Sequence, residues 1–240
     1  MSVQFDTENL TNAVYHFRAE IPLTFDCDEC GSDVHAKIGA DGEFVCSECH
    51  KSYESTDIGE KLAARYPHPD DEDTGLRAKC DYGRSSAIFF KRNGGSYSIW
   101  VKKGTVSIMS LPETYTIDRL EDCDGVAEQF AGDIVETFGG TRTSELERSQ
   151  IAINTELPSG VRLELAVQAL RSGNSPFESE TVVYNPEIFP SIDATHKETG
   201  IHVQLFTDKV SLLGGTELDS IKATYEDVVR HLREWELLDE

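Results

Sequence analysis

Near the C-terminus, Ile221, Tyr225, Val228, Leu232 and Trp235 recur at steps of four, three, four and three. That spacing draws one apolar stripe along a helix. Two shorter runs precede it, and both alternate. In Ile201–Phe206 the residues Ile201, Val203 and Leu205 share one face, and His202, Gln204 and Phe206 the other. In Lys209–Leu213, Val210 and Leu212 face one way, Ser211 and Leu213 the other. A period of two predicts strands, so the helical stripe has a sheet to lie on. Upstream, Gln150–Leu157 alternates in the same way, with Ile151, Ile153, Thr155 and Leu157 toward the helices and Gln150, Ala152 and Asn154 away from them. Val161–Arg171 reads as a second helix.

The first half of the chain repeats this order. Asn12–Ile21 alternates: Tyr15, Phe17, Ala19 and Ile21 lie on one face, Val14, His16, Arg18 and Glu20 on the other. Ser55–Tyr66 opens with capping residues and carries Ile58, Leu62 and Ala63 at helical spacing. From Leu76 to Leu111 the pattern is a β-meander, punctuated by Asn93-Gly94-Gly95 and Lys103-Gly104. Its open face is expected to carry Tyr97, Ile99, Val101 and Met109. A helix is predicted from Thr116 to Phe138, with Val126, Phe130, Ile134 and Phe138 on one stripe and Gly139-Gly140 as its stop. Strand, helix, strands, long helix thus occurs twice, which predicts a pseudo-twofold α+β molecule.

One segment breaks the repeat. Cys27-Asp-Glu-Cys30 and Cys46-Ser-Glu-Cys49 are separated by 15 residues with turn signals at Gly31 and Asp41-Gly42. Two such knuckles set four thiolates around one Zn²⁺ in a closed, structural site. Cys27, Cys30, Cys46 and Cys49 are therefore the expected zinc ligands of a small ribbon over residues 24–54. His35 and His50 are not needed as ligands. Cys80 and Cys123 have no such partner and read as buried free thiols.

The run Tyr184-Asn185-Pro186-Glu187-Ile188-Phe189-Pro190, followed by a strand, a strand ending at Phe206 and a long helix, resembles the C-terminal half-repeat of the TATA-box-binding protein (TBP) family. The likeness is strongest from Gln150 onward. It implies a curved antiparallel sheet, saddle-shaped, with helices on the convex face. Residues 8–140 would form the first half-repeat, interrupted by the zinc ribbon, and 141–240 the second. It also implies binding of promoter DNA, AT-rich and double-stranded, in the minor groove through the concave sheet. Phe189 and Phe206 match the family's wedge pair in the second half, and Gln150 stands where a groove-reading Asn is usual. A gap-free alignment sets Arg84 and Val101 at the wedge places of the first half, and Leu213 replaces the usual Thr. The expected DNA face comprises Asn12, Val14, Val101, Gln150, Ala152, Asn154, Phe189, Gln204, Phe206, Ser211 and Leu213. Phe189 and Phe206 packing on one another or on a neighbouring strand is the competing expectation.

Charge changes the picture in one respect. Asp and Glu number 44 against 22 Lys and Arg, a net charge of −22 spread along the chain. Such a surface suits a salt-rich cytoplasm, as of a halophilic archaeon, where the Debye length falls to about 3 Å and repulsion of phosphate shrinks to contact range. Lys91, Arg92, Lys102 and Lys103 are then the expected phosphate contacts, gathered at one set of turns, or else a rim that discourages edge pairing. The chain has no apolar run of membrane-spanning length and no signal peptide, so a cytoplasmic location without membrane contact is expected. It also shows no P-loop, GxGxxG, paired nucleophile and base, or open metal site, so no enzyme is expected. Two functions remain: a TBP-like factor in archaeal transcription initiation or its regulation, with initiation factors or RNA polymerase as partners, or a TBP-fold module that regulates the machinery through protein contacts alone.

Overall fold

A computed structural model describes residues 10–38, 44–54, 58, 61–62, 65, 80–82, 85–92, 94–101, 103–111 and 122–238. The fold is α+β, with antiparallel sheet in each of two compact units. The N-terminal unit comprises residues 14–117 and 121–148; the C-terminal unit comprises 1–13, 118–120 and 149–240.

In the N-terminal unit the organising strand is β1 (Leu10–Asp26), whose residues from Val14 onward belong here. It serves three partners in turn. Ile21–Asp26 pair with β2 (Asp33–Ile38), Tyr15–Arg18 with β8 (Thr105–Ser110), and Ala19 and Glu20 with β9 (Thr141–Arg142). Between β2 and β8 come the two-stranded ladder β3 (Phe44–Val45) and β4 (Ser52–Tyr53), then β5 (Cys80–Tyr82), β6 (Ser85–Arg92) and β7 (Gly95–Trp100). The unit's main sheet runs β1-β8-β7-β6-β5. Helix α1 (Cys123–Thr137) lies on one face with Val126, Phe130 and Ile134 buried, as the stripe predicts. Residues 116–121 of the expected helix lie outside the described residues.

The face that α1 covers is set by aromatic contacts. Phe90 stacks on Tyr97 at 5.3 Å, and Tyr97 meets Phe130 edge-on at 5.9 Å. Tyr15 donates from its hydroxyl to Asp124 Oδ1 at 2.9 Å. Tyr97 and Ile99, expected on the open side, therefore point into the core, and Val101 is fully buried in the turn after β7. The reason is register. Tyr97 pairs with Ile108 and Ile99 with Val106, and cross-strand partners share a face. Met109 is exposed.

In the C-terminal unit the order is β11-β12-β13-β14-β10, from β11 (Val183–Asn185), β12 (Phe189–Thr195), β13 (His202–Leu205) and β14 (Lys209–Gly215) to β10 (Glu147–Glu156), whose residues from Ser149 onward belong here. Helices α2 (Leu163–Leu170) and α3 (Leu218–Glu234) supply the other layer. Leu170, Val228, Leu232 and Trp235 line a small interior void with Ile192, Ala194, Val203 and Leu205, so the helical stripes and one sheet face form the core. Each such buried aliphatic side chain contributes about 1.5–3 kcal/mol. A methyl group on Gly215 would lie 2.6 Å from Ile221 Cγ1, so a glycine there lets α3 begin directly over β14. A buried polar chain closes the far end of this layer. His196 Nδ1 meets Thr199 Oγ1 at 2.9 Å, His196 Nε2 meets Asp227 Oδ2 at 3.1 Å, and Thr199 reaches Thr224 on α3 at 2.9 Å.

Candidate metal centre and open sheet faces

The ribbon grows out of β1 without a break. The first knuckle, Cys27–Cys30, is the turn from β1 into β2, and the second, Cys46–Cys49, the turn from β3 into β4. Their backbones match. The Cys27 amide donates to Ser32 O at 2.9 Å and the Gly31 amide to Cys27 O at 2.8 Å. The Cys46 amide donates to Lys51 O and the His50 amide to Cys46 O, each at 3.0 Å. Each knuckle ends in a left-handed residue, Gly31 at φ +73° and His50 at φ +61°.

All four sulfurs lie within 4.8 Å of one another and form no disulfide, with Cys27 to Cys49 at 3.4 Å and Cys30 to Cys46 at 3.6 Å. Ligands about 2.3 Å from a tetrahedral ion stand about 3.8 Å apart, so the cluster fits a metal. Tyr53, buried, donates its hydroxyl to Cys27 Sγ at 3.1 Å and accepts from the Asp28 amide at 3.0 Å. That hydrogen bond favours the thiolate and draws the Cys27 pKa down to about 6. Residues of the short predicted helix serve the ribbon. Ile58 and Leu62 are buried, Lys61 pairs with Asp28, and Arg65 pairs with Asp26 at 2.7 Å and Asp33 at 3.1 Å.

On the C-terminal unit's uncovered face, Phe189 and Phe206 meet edge to face, centroids 5.7 Å apart at 74°. Phe189 is 46% exposed and Phe206 half-buried, with Lys209 Nζ 5.0 Å from the Phe206 ring centre. The mutual packing anticipated for this pair is therefore present, and it leaves Phe189 exposed. Ser191, two residues after Phe189 on the same face of β12, is 1% exposed, and its Oγ has no partner among the described residues. Gln204 Nε2 donates to Asp193 Oδ1 at 2.9 Å, which His202 also approaches at 3.3 Å. Ser211 donates to Asn154 Oδ1, and Thr11 Oγ1 donates to the Ala152 carbonyl at 3.0 Å. Asn12, Gln150 and Leu213 are half-buried, and Ala152 and Ser211 are buried. Phe206, Gln204, Asn154 and Ser211 thus form one connected patch, while Asn12 and Gln150 sit near the starts of their strands.

In the N-terminal unit the four expected basic contacts do not gather at one set of turns. Arg92 pairs with Gly95 at one end of β7, whereas Trp100 pairs with Thr105 at the other, where the turn holding Lys103 lies. Lys91 and Lys103 therefore sit at opposite ends of a six-residue strand. Lys102, Arg84 and the Arg92 side chain lie outside the described residues. Val14 is half-buried and Val101 offers no surface.

Register reveals a residue that the gap-free alignment missed. In the C-terminal unit the open-face positions of β13 are His202, Gln204 and then Phe206, which pairs back to Lys209 through its amide at 2.9 Å. In the N-terminal unit the open-face positions of β7 are Ser96, Ser98 and Trp100, whose partner is Thr105. Trp100, not Val101, holds the place of Phe206. Lys103 Nζ lies 5.6 Å from the Trp100 ring centre, as Lys209 does over Phe206. The cue available in sequence was the Lys103-Gly104 turn, which fixes where β7 ends.

No family profile matches the chain, and no curated protein matches it by sequence. Among solved structures it is similar to Methanococcus jannaschii TBP, with a TM-score of 0.52 at 12% identity, covering 94% of this chain and 98% of that one. The chain has a TBP-like fold that carries a four-cysteine cluster in its N-terminal unit.

Proposed function

We propose that this chain is a divergent TBP-like DNA-binding protein that acts in transcription initiation or its regulation in a salt-rich archaeal cytoplasm. It binds duplex DNA in the minor groove through the open sheet face of its C-terminal unit, and Zn²⁺ held by Cys27, Cys30, Cys46 and Cys49 keeps the ribbon folded. It is a binding protein rather than a catalyst. The observation that carries the reading is the exposed Phe189–Phe206 pair beside the amides Gln204 and Asn154. Large apolar rings on an uncovered sheet face suit insertion between base steps, and neighbouring amides suit the groove's acceptors. Asp193 puts a carboxylate on the same face, held by Gln204 and His202, which fits binding at high salt.

Duplex binding by wild type and Phe206→Ala, measured at molar KCl on an AT-rich duplex, tests this. A loss of about tenfold or more is expected; equal affinity overturns the reading. In that case Ile188, 81% exposed, and Val183, 53% exposed on edge strand β11, favour the second function, a protein-binding module. A stable protein partner and no preference for AT-rich duplex would then be found.

A further inference from the structure

The N-terminal unit contains a trough that the duplex reading does not use. Its floor is the uncovered face of β1, β8 and β7, bearing His16, Arg18, Thr105, Ser107 and Trp100. Lys103 stands at one end, and Thr143, Ser144 and Glu147 line the side along β1. The void between them is about 770 Å³.

Both borders are fastened to β1. The Thr143 amide donates to Arg18 O at 2.8 Å, and the Arg18 amide donates to Ser144 Oγ at 2.8 Å. The Ala19 amide donates to Gly104 O at 2.9 Å, which anchors the turn that carries Lys103. The trough is therefore shaped before any ligand arrives.

Its charge is unusual for this chain. In the same unit, Arg142 pairs with Glu128 and Glu145, Arg148 with Asp124, Lys61 with Asp28, and Arg65 with Asp26 and Asp33. The exposed side chains of Arg18 and Lys103 have no carboxylate partner among the described residues, in a protein of net charge −22. Arg18, Thr105 and Trp100 are direct cross-strand neighbours in one row. Two strand spacings, about 10 Å, separate the guanidinium's strand from the indole's. One nucleotide bridges that span from base to phosphate.

We propose that this trough binds single-stranded DNA, stacking one unpaired base on Trp100 and setting its phosphates against Arg18 and Lys103. A ring face that tolerates any base, next to cations along a single line, is the chemistry of single-strand binding. A duplex is disfavoured because it needs two phosphate tracks, and the β1 border presents the Glu147 carboxylate, 3.2 Å from His16 Nε2. The hydroxyls of Thr105, Ser107 and Thr143 offer further donors to the strand. The inference stands independently of duplex binding by the C-terminal unit.

The chain has two tryptophans, so Trp235→Phe leaves Trp100 as sole reporter. In that background, at 1 M KCl, a twelve-residue oligo-dT should quench Trp100 fluorescence saturably. Arg18→Ala with Lys103→Ala should weaken the binding about tenfold or more. No quenching, an unchanged affinity in the double variant, or equal quenching by free dTMP or by duplex of the same length overturns the inference. Loss of duplex binding in Phe206→Ala is read separately, with duplex as the probe, and leaves oligo-dT quenching unchanged.

Discussion

The Tyr53 hydroxyl stands 3.1 Å from Cys27 Sγ and donates to it while its ring lies edge-on to Phe25 at 5.0 Å. One side chain thus anchors the ribbon's small core and orients a cysteine of the candidate metal site. Tyr53→Phe keeps the ring and deletes the hydrogen bond. Partners of this kind contribute about ten- to a hundredfold to metal affinity. Competition with a chromophoric chelator should show a loss in that range, with the ribbon still folded when metal is in excess. Stripping the metal altogether should abolish amide protection across Phe44–Tyr53 and spare α3.

His50 holds a left-handed backbone at φ +61°, where the first knuckle has Gly31. A side chain in that conformation costs about 1–2 kcal/mol. His50→Gly should therefore stabilise the metal-loaded ribbon, less the entropy that glycine adds to the unfolded chain, for a net gain of about 0.5–1 kcal/mol. Thermal unfolding at saturating Zn²⁺ measures it; a loss of stability would show that the imidazole makes a contact that matters.

Alkaline pH should weaken the N-terminal unit. Burial, with help from neighbouring Asp124, lifts the Cys123 thiol from 9.0 to about 11. Burial and the hydrogen bond to Asp124 push the Tyr15 phenol up as well. Both groups are neutral acids whose folded values exceed the unfolded ones. Between pH 9 and 11 the unfolded chain has lost the Cys123 proton and the folded one has kept it, so stability falls as pH rises. A fall of about 2 kcal/mol is expected from this thiol. Urea unfolding at pH 8 and 10.5 checks it, and Cys123→Ala should flatten the slope.

Ser191 Oγ is buried and unpaired on the face that carries Phe189 and Phe206. An orphaned hydroxyl costs about 1–3 kcal/mol, and its removal leaves only a small void. Ser191→Ala should raise the stability of the C-terminal unit by about 1 kcal/mol, as read by chemical denaturation. A destabilised variant would mean that the hydroxyl has a partner when the protein is in water.

The C-terminal unit was largely legible because its patterns are regular. Ile201, Val203 and Leu205 alternate into the core as their period demands, and the stripe from Ile221 to Leu232 is buried along α3. The knuckles were legible for a different reason: cysteine spacing states its geometry directly. The N-terminal sheet was harder. Tyr97, Ile99 and Val101 are apolar in the same way whichever face they take, and only pairing with Ile108 and Val106 decides it. A one-residue error in where β7 ends is enough to exchange Trp100 for Val101, because neighbouring strand positions face opposite ways. The spacing of Lys91 and Lys103 along the chain likewise hid that a whole strand separates them.

The unbroken course of β1 gives the ribbon a mechanical role. Ile21–Asp26, which carry the first knuckle, continue with no hinge into Tyr15–Arg18, which lie in the sheet. A pull on the ribbon along this strand loads the hydrogen bonds to β8 in shear, all together, rather than peeling them one at a time. A protein that grips the ribbon therefore holds a stiff handle, and tension on it passes through Glu20 and Ala19, paired with β9, to Arg18 and His16.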